Sequence, residues 1–291
     1  MSAEPSLRTG AREARVAGRR RRLLPRVLRY LGVLIALAFF LFPIFWIIST
    51  AFKLPAEYLH NPPVWITARP TLVHFAAVMQ LKGYTALKNS LIISTGATIL
   101  ALVIGSLAAY SLARFHTGGH NFAFWIISQR MMPPVVLIIP LSLVFQTLGL
   151  IDTHVGLILL YTVFNLPFTI WMMRSYFADV PAEIEESALV DGCTPLQVLQ
   201  RITLPLSLPG LVATGTFAFI FSWTEFLFAL IVTRDKAFTL PVTIAGYFGG
   251  QGSVWGQAAA LAVVATLPLF VIGLLVQKHF VRGLTLGAVR G

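Results

Sequence analysis

An all-α membrane protein with six transmembrane helices is the fold class that three sequence observations predict. Hydrophobic residues make up 57% of the 291 positions and charged residues only 11%, against about 25% charged in soluble domains. Apolar stretches near the roughly 20 residues that a bilayer core demands recur at 30–51, 87–112, 131–149, 155–177, 207–232 and 258–280. None of them carries the ten-residue alternation of a membrane barrel. A mean hydropathy of +0.80 excludes intrinsic disorder, which couples low hydrophobicity to high net charge.

The first stretch follows Arg19-Arg20-Arg21-Arg22 and outruns the ~7–15 apolar residues of a signal peptide, so it is expected to remain as a helix. Nine of the 17 arginines fall in residues 1–29, a basic tail, and placing that tail in the cytoplasm leaves fifteen Lys and Arg inside against six outside. Both termini are therefore expected in the cytoplasm. The net charge of +11 is then a matter of topology rather than nucleic-acid binding. Residues 30–282 form the transmembrane domain in this reading, and 283–291 a second cytoplasmic tail. Within the third stretch Arg130 and Pro133-Pro134 interrupt the apolar run. Proline is tolerated in a first helical turn, so the span is expected to begin near Met131 with 121–129 along the inner interface. A single broken helix turning Arg130 toward a cavity is the alternative.

Two spans carry stripes of small residues at every fourth position: Ala97, Ala101, Gly105 and Ala109 in the second, and Gly210, Thr214, Ala218 and Ser222 in the fifth. Such stripes let helix backbones approach closely in lipid. Packing within the chain is the expected use, with a partner membrane subunit as the alternative.

Catalytic chemistry finds no foothold. There is no Gly-Lys dipeptide and hence no phosphate-binding P-loop, and the lone Cys193 builds neither a disulfide nor a thiolate zinc site. His116 and His120 lack a nearby carboxylate, so no metal is expected. Gly249, Gly250, Gln251 and Gly252 read as a flexible outer loop.

The informative segment is the inner loop 179–205. Five of the eleven acidic residues lie in positions 179–191, on the side that membrane proteins usually make positive. Residues 182–190 suit two helical turns with Glu183 and Glu185 in the first, where the helix dipole favours acids. Gly192 can take the left-handed conformation that ends a helix. Thr194-Pro195 then offers an N-cap and a first-position proline. The product is a cytoplasmic helix–turn–helix, and its Ile184, Leu189, Val190, Leu196, Val198 and Leu199 favour a docking element over a solvated loop.

Glu186-Ser187-Ala188, then Gly192, then Ile202-Thr203-Leu204-Pro205 resembles the EAA–G–I–LP signature of ABC importer permeases, with Ser187 where alanine is usual. Arg114-Phe115, Gln129-Arg130-Met131-Met132-Pro133-Pro134, Leu148-Gly149-Leu150, Thr239-Leu240-Pro241 and the tail from Gly283 to Gly291 resemble the carbohydrate branch, which takes maltose, trehalose and sugar alcohols. The resemblance implies an inner-membrane permease subunit that forms half of a translocation pathway with a second permease. It implies two cytoplasmic ATPase subunits, which bind ATP and Mg, and an extracytoplasmic sugar-binding protein. It leaves this chain without a cofactor or enzymatic activity of its own. It further implies ATPase coupling through Glu183, Glu186, Ser187, Ala188, Asp191, Gly192, Ile202, Leu204 and Pro205, and contact of Gly249–Gly252 with the binding protein.

Substrate-pathway candidates are Asn165, Trp223, Glu225 and Arg130. Glu225 falls inside the fifth stretch, where a charge costs ~2.5–3.5 kcal/mol on insertion scales, and helical spacing puts it on the small-residue face. It serves either as a carboxylate bonded to a neighbouring helix or as a polar contact of the pathway. Ser222-Trp223-Thr224-Glu225-Phe226 resembles the family's Trp-Asn-Glu-Phe pattern, with Thr224 in place of asparagine. Rival readings are a permease for a non-sugar solute and an ion-coupled secondary transporter. The latter lacks the internal repeat such folds use.

Overall fold

The computed structural model describes residues 6–58, 60–248 and 254–288. Among them there is no strand. The chain runs α1 (Ser6–Phe52), α2 (Val73–Val78), α3 (Tyr84–Arg114), α4 (His120–Ser128), α5 (Pro134–Thr147), α6 (His154–Ala178), α7 (Ala182–Val190), α8 (Pro195–Val198), α9 (Leu204–Leu206), α10 (Leu208–Trp223), α11 (Leu227–Val232), α12 (Leu240–Gly246) and α13 (Trp255–Ala288). Four helical stretches, Leu28–Phe52, Val73–Arg114, His154–Ala178 and Trp255–Gln277, are long and apolar enough to cross a membrane. Two bent pairs bring the number to six, Asn121–Met131 with Pro134–Thr147 and Pro195–Leu206 with Leu208–Trp223.

The bends bear on two expectations. The third span begins at Pro134, close to the expected start near Met131 and with proline in its first turn as expected; a 3₁₀ turn at Gln129–Met131 ends α4, and α5 runs at 88° to what precedes it. Pro133 and Pro134 lack the amides that would carry a helix through, which makes the corner. The fifth span corrects the sequence reading, because it is not continuous over 207–232. Helix α10 stops at Trp223, Thr224–Phe226 are non-helical, and α11 resumes at Leu227. At the chain ends, α1 reaches back into the basic segment as far as Ser6, and α13 runs beyond 283 to Ala288.

The small-residue stripes do what close approach requires. Ala97, Ala101, Gly105 and Ala109 are buried along α3, which packs on α6 and α10, and Gly210, Thr214, Ala218 and Ser222 are buried along α10. A methyl group on Gly210 would run into the Tyr176 ring on α6, so only hydrogen fits there. Packing within the chain is thus the use the fold makes of both stripes.

Among the described residues, three apolar clusters lie along this bundle and a fourth, of Ala51, Ala259 and Ala260, joins α1 to α13. One, around Ile93, Leu157, Leu160 and Phe228, joins α3, α6 and α11. A second, around Tyr110, Met173, Phe177 and Leu199, lies where α3 and α6 meet the helix–turn–helix. The third, around Trp223, Phe238, Leu240 and Leu261, ties α10 to α12 and α13. Helix α1 packs mainly on α13. Its end is pinned by Lys53, whose buried ammonium lies 4.0 Å from the ring centre of Trp46 and whose carbonyl is 2.8 Å from His74 Nε2.

Candidate functional site: a polar cavity and a projecting helix–turn–helix

Proline at the α4–α5 corner and the break after α10 together open a cavity of about 290 Å³. Arg130, Asn165 and Glu225, three of the four pathway candidates, line it. Arg130 faces the cavity, as the broken-helix alternative required. Its guanidinium carbon lies 4.3 Å from the ring centre of Phe221 and 5.3 Å from that of Phe168, cation–π distances. Asn165 is buried and donates to Ser222 Oγ at 2.8 Å, holding α6 to α10. Tyr161, one turn earlier on α6, also lines the cavity, and its buried hydroxyl faces the Glu225 carboxylate. The phenyl rings of Phe164 and Phe228, 4.2 Å apart, add an apolar wall.

Glu225 does not stand on the small-residue face, because the helix has ended before it. Its carboxylate oxygens accept the backbone amides of Phe228 at 2.9 Å and Ala229 at 3.2 Å, donors that a new helix leaves unpaired. It therefore caps α11, and no ion pair joins it to Arg130 among the described residues. The remaining candidate points elsewhere. Trp223 is buried, donates from Nε1 to the carbonyl of Ala265 on α13 at 3.0 Å, and lines a separate apolar cavity of about 530 Å³ with Phe226, Leu240 and Phe248. Thr224 borders both cavities.

On the opposite end of α6 the helix–turn–helix folds as its local signals dictate. Gly192 has φ +89°. The amides of Gly192 and Cys193 donate to the carbonyls of Leu189 and Ala188 at 3.1 and 3.0 Å, the paired bonds of a Schellman ending. Thr194 and Gln197 exchange side-chain and backbone bonds in a capping box. Beyond α8 a π-helical turn at Leu199–Thr203 leads through α9 into α10 at an angle of 84°.

Burial divides the residues of this element. Glu183, Glu186, Ser187, Asp191, Gly192 and Pro205 are exposed, as are Ile184, Leu189, Val190 and Leu196. Ala188 is buried, and Ile202 and Leu204 are half-buried. Val198 and Leu199 were expected on the docking surface but are 0% and 2% exposed. They fasten the element to the bundle instead.

Glu185 escaped the sequence reading because Glu183 and Glu186 flank it with the same chemistry. It is buried and takes a two-pronged ion pair from Arg114 at the end of α3, with Nε and Nη2 each 2.8 Å from a carboxylate oxygen. Tyr110 and Thr203 hydroxyls add bonds of 3.2 and 2.8 Å.

A second overlooked residue organises the end of α6 away from the helix–turn–helix. Asp152, at φ +57°, accepts the amides of Arg234, Asp235, Lys236 and Ala237 at 2.9–3.1 Å. Burial pushes its carboxyl up, but the four amides outweigh burial and hold its pKa below the usual value. Asn89 donates to the carbonyls of Lys236 and Phe238, and Ser90 Oγ accepts the amide of Leu240. This seam roots the segment that leads to Gly249, Gly250, Gln251 and Gly252, which were expected in an outer loop and lie outside the described residues.

A bundle of membrane-spanning helices with a polar cavity at one level and an anchored helix–turn–helix with an exposed face at another has the make-up of a membrane transport subunit. Residues 101–286 match the model of a family described as the binding-protein-dependent transport system inner membrane component, and the chain belongs to that family. It is a permease of an ABC importer. The trehalose/maltose transport system permease protein MalG of Thermococcus litoralis is 35% identical over 278 residues, covering 94% of this chain and 99% of that one. The diacetylchitobiose uptake system permease protein DasC of Streptomyces coelicolor is 34% identical, covering 86% and 92%. In fold the chain resembles a bacterial ABC transporter involved in alginate import, with a TM-score of 0.75 at 23% identity over 89% of this chain and 97% of that one.

Proposed function

We propose that this permease carries a carbohydrate, a di- or oligosaccharide or a sugar alcohol, into the cytoplasm as one half of a pathway shared with a second permease. The named substrates of its relatives, trehalose, maltose and diacetylchitobiose, support that class. A binding protein outside delivers the sugar, and ATP is bound with Mg and hydrolysed on two separate ATPase subunits. Both termini lie in the cytoplasm, as the distribution of Lys and Arg favours.

The observation that carries the coupling role is the face of α7 and α8. It offers apolar Ile184, Leu189, Val190 and Leu196 beside acidic Glu183 and Glu186, all exposed, on an element whose underside is fixed by Ala188, Val198 and Leu199. Such a face fits an apolar groove with a basic rim on the ATPase. Closure of the ATPase pair then moves α7, and the cavity lined by Arg130, Asn165 and Glu225 opens alternately to the two sides. Aromatic walls suit the C–H faces of a sugar ring, and Asn165, Tyr161 and Arg130 supply hydrogen-bonding groups.

The test is reconstitution of the permease pair, ATPase and binding protein in proteoliposomes, with uptake of a labelled sugar panel measured against amino acids and peptides. Binding-protein-dependent uptake of at least one sugar is expected. Uptake of amino acids or peptides alone would overturn the carbohydrate assignment.

A further inference from the structure

The acidic run of the helix–turn–helix contains three glutamates in four positions, and the structure separates them into two jobs. Glu183 and Glu186 face outward. The Glu185 side chain is 5% exposed, and its two oxygens receive four bonds: two from the Arg114 guanidinium, one from Tyr110 and one from Thr203. No acceptor capacity is left on it for an ATPase residue. Arg114 is tied further to α6, since its Nη2 also donates to the carbonyls of Phe177 at 2.8 Å and Val180 at 2.9 Å.

These bonds join four parts of the chain at one point. Tyr110 and Arg114 form the last turn of α3, and Phe177 and Val180 sit at the end of α6. Glu185 is on α7, and Thr203 lies in the π-helical turn at the foot of α10. We propose that Arg114 and Glu185 form the clamp through which movement of α7 reaches the pathway, making Arg114 a positioning residue for transport rather than an ATPase contact. This inference rests on the coupling role given above to α7.

The fork matters because of what each direction of motion meets. A guanidinium paired with both carboxylate oxygens resists rotation as well as separation, whereas a single ammonium contact allows swivel. Around it the linker between α6 and α7 is only Asp179–Pro181, so the clamp and the linker hold α7 at two points and turn it with α6 as one body. Asn165 lies twelve residues back along α6 from Phe177, about 18 Å at 1.5 Å per residue. A tilt of α7 thus acts on the cavity along α6, arriving where Pro167 breaks the helical hydrogen bonding two residues past Asn165, while Thr203 passes the same tilt to α10 and Ser222.

Arg114→Lys keeps the charge and removes the fork, and Glu185→Gln keeps the shape and removes the charge. Both are to be measured in the reconstituted complex beside Glu183→Gln and Glu186→Gln. With Arg114→Lys and Glu185→Gln, the ATPase should co-purify in parental amount while stimulation of ATP hydrolysis by sugar-loaded binding protein falls at least tenfold. ATP consumed per sugar imported should rise with it. The two outward-facing variants should instead weaken ATPase co-purification. Parental stimulation and stoichiometry in Arg114→Lys would overturn the clamp, as would loss of ATPase attachment in both clamp variants. Should Glu185→Gln fail to accumulate in the membrane, Thr203→Val removes a single donor from the same carboxylate and is expected to show the same uncoupling in milder form; parental behaviour there together with parental Arg114→Lys refutes the proposal. Failure of the parental complex to bind an ATPase at all would instead strike the coupling role of α7.

Discussion

Substitution of Gly192 isolates the turn of the helix–turn–helix from everything around it. The residue holds φ +89°, and a methyl group built on it would meet nothing within 4 Å. No steric clash therefore contributes, and the whole cost is conformational, about 1–2 kcal/mol for an L side chain in left-handed backbone. That lowers the population of the native bend about 5–30-fold relative to its alternatives. The two turn bonds, Gly192 N–H to Leu189 and Cys193 N–H to Ala188, exist only in this bend. Asparagine, which visits left-handed backbone more readily, should cost less than alanine, and β-branched valine should cost most. Hydrogen exchange at the amides of Gly192 and Cys193 reads the bend directly. Sugar-stimulated ATP hydrolysis in the reconstituted complex reads its use. Both should decline in the order Gly, Asn, Ala, Val. A valine variant with parental amide protection and parental stimulation would show that neither the backbone conformation nor the orientation of α8 matters.

Three other substitutions test separate joints. Gly210→Ala drives a methyl group into the Tyr176 ring and should destabilise the bundle by about 1–3 kcal/mol, lowering the thermal midpoint of the detergent-solubilised protein; an unchanged midpoint would contradict the tight α6–α10 contact. Asp152→Asn removes the charge that four amides surround and should weaken the outer seam by about 2 kcal/mol, read as faster exchange at residues 234–237. Because the folded pKa of Asp152 is depressed, its stabilisation is present above the unfolded value near 3.9 and is lost as pH falls through the folded one, so protection should drop on acidification in the parent and stay flat in the Asn variant. Glu225→Gln retains one carbonyl oxygen for the amides of α11 and should leave assembly intact at a cost of about 1 kcal/mol while lowering sugar uptake; parental uptake would remove Glu225 from the pathway.

Features written within a few residues were legible in the sequence. Gly192, Thr194 and Pro195 specify their turn by local backbone chemistry, and the turn forms as that chemistry dictates. The fourfold spacing of Ala97, Ala101, Gly105 and Ala109 marks a helix face directly, and that face is buried. The choice among Glu183, Glu185 and Glu186 was not legible, because helix phase is set by Arg114, 71 positions before Glu185. The break after Trp223 was hidden for a similar reason. Apolar residues flank Thr224 and Glu225 on both sides, and the helix stops there although neither proline nor glycine marks the place. Glu225 then begins a new helix instead of lying on the old one, and Trp223 turns away toward α13. Asp152 looked like an ordinary loop acid, since its four partners lie 82–85 residues downstream.

The outer seam also sets a timetable for biogenesis. The Asn89 amide nitrogen and the Ser90 hydroxyl, buried near the start of α3, take partners from residues 236–240, up to 150 positions later in the chain, while Asn89 Oδ1 meets His154 Nε2. A buried amide or hydroxyl left without a partner is costly in an apolar setting. During synthesis α3 enters the membrane long before α12 exists, so these groups wait on water or headgroups until nearly the whole chain has emerged. Their late satisfaction turns completion of the chain into a stabilising event. A nascent permease truncated anywhere before residue 236 carries its own unsatisfied polar mark, one by which membrane quality control can tell the fragment from the finished subunit.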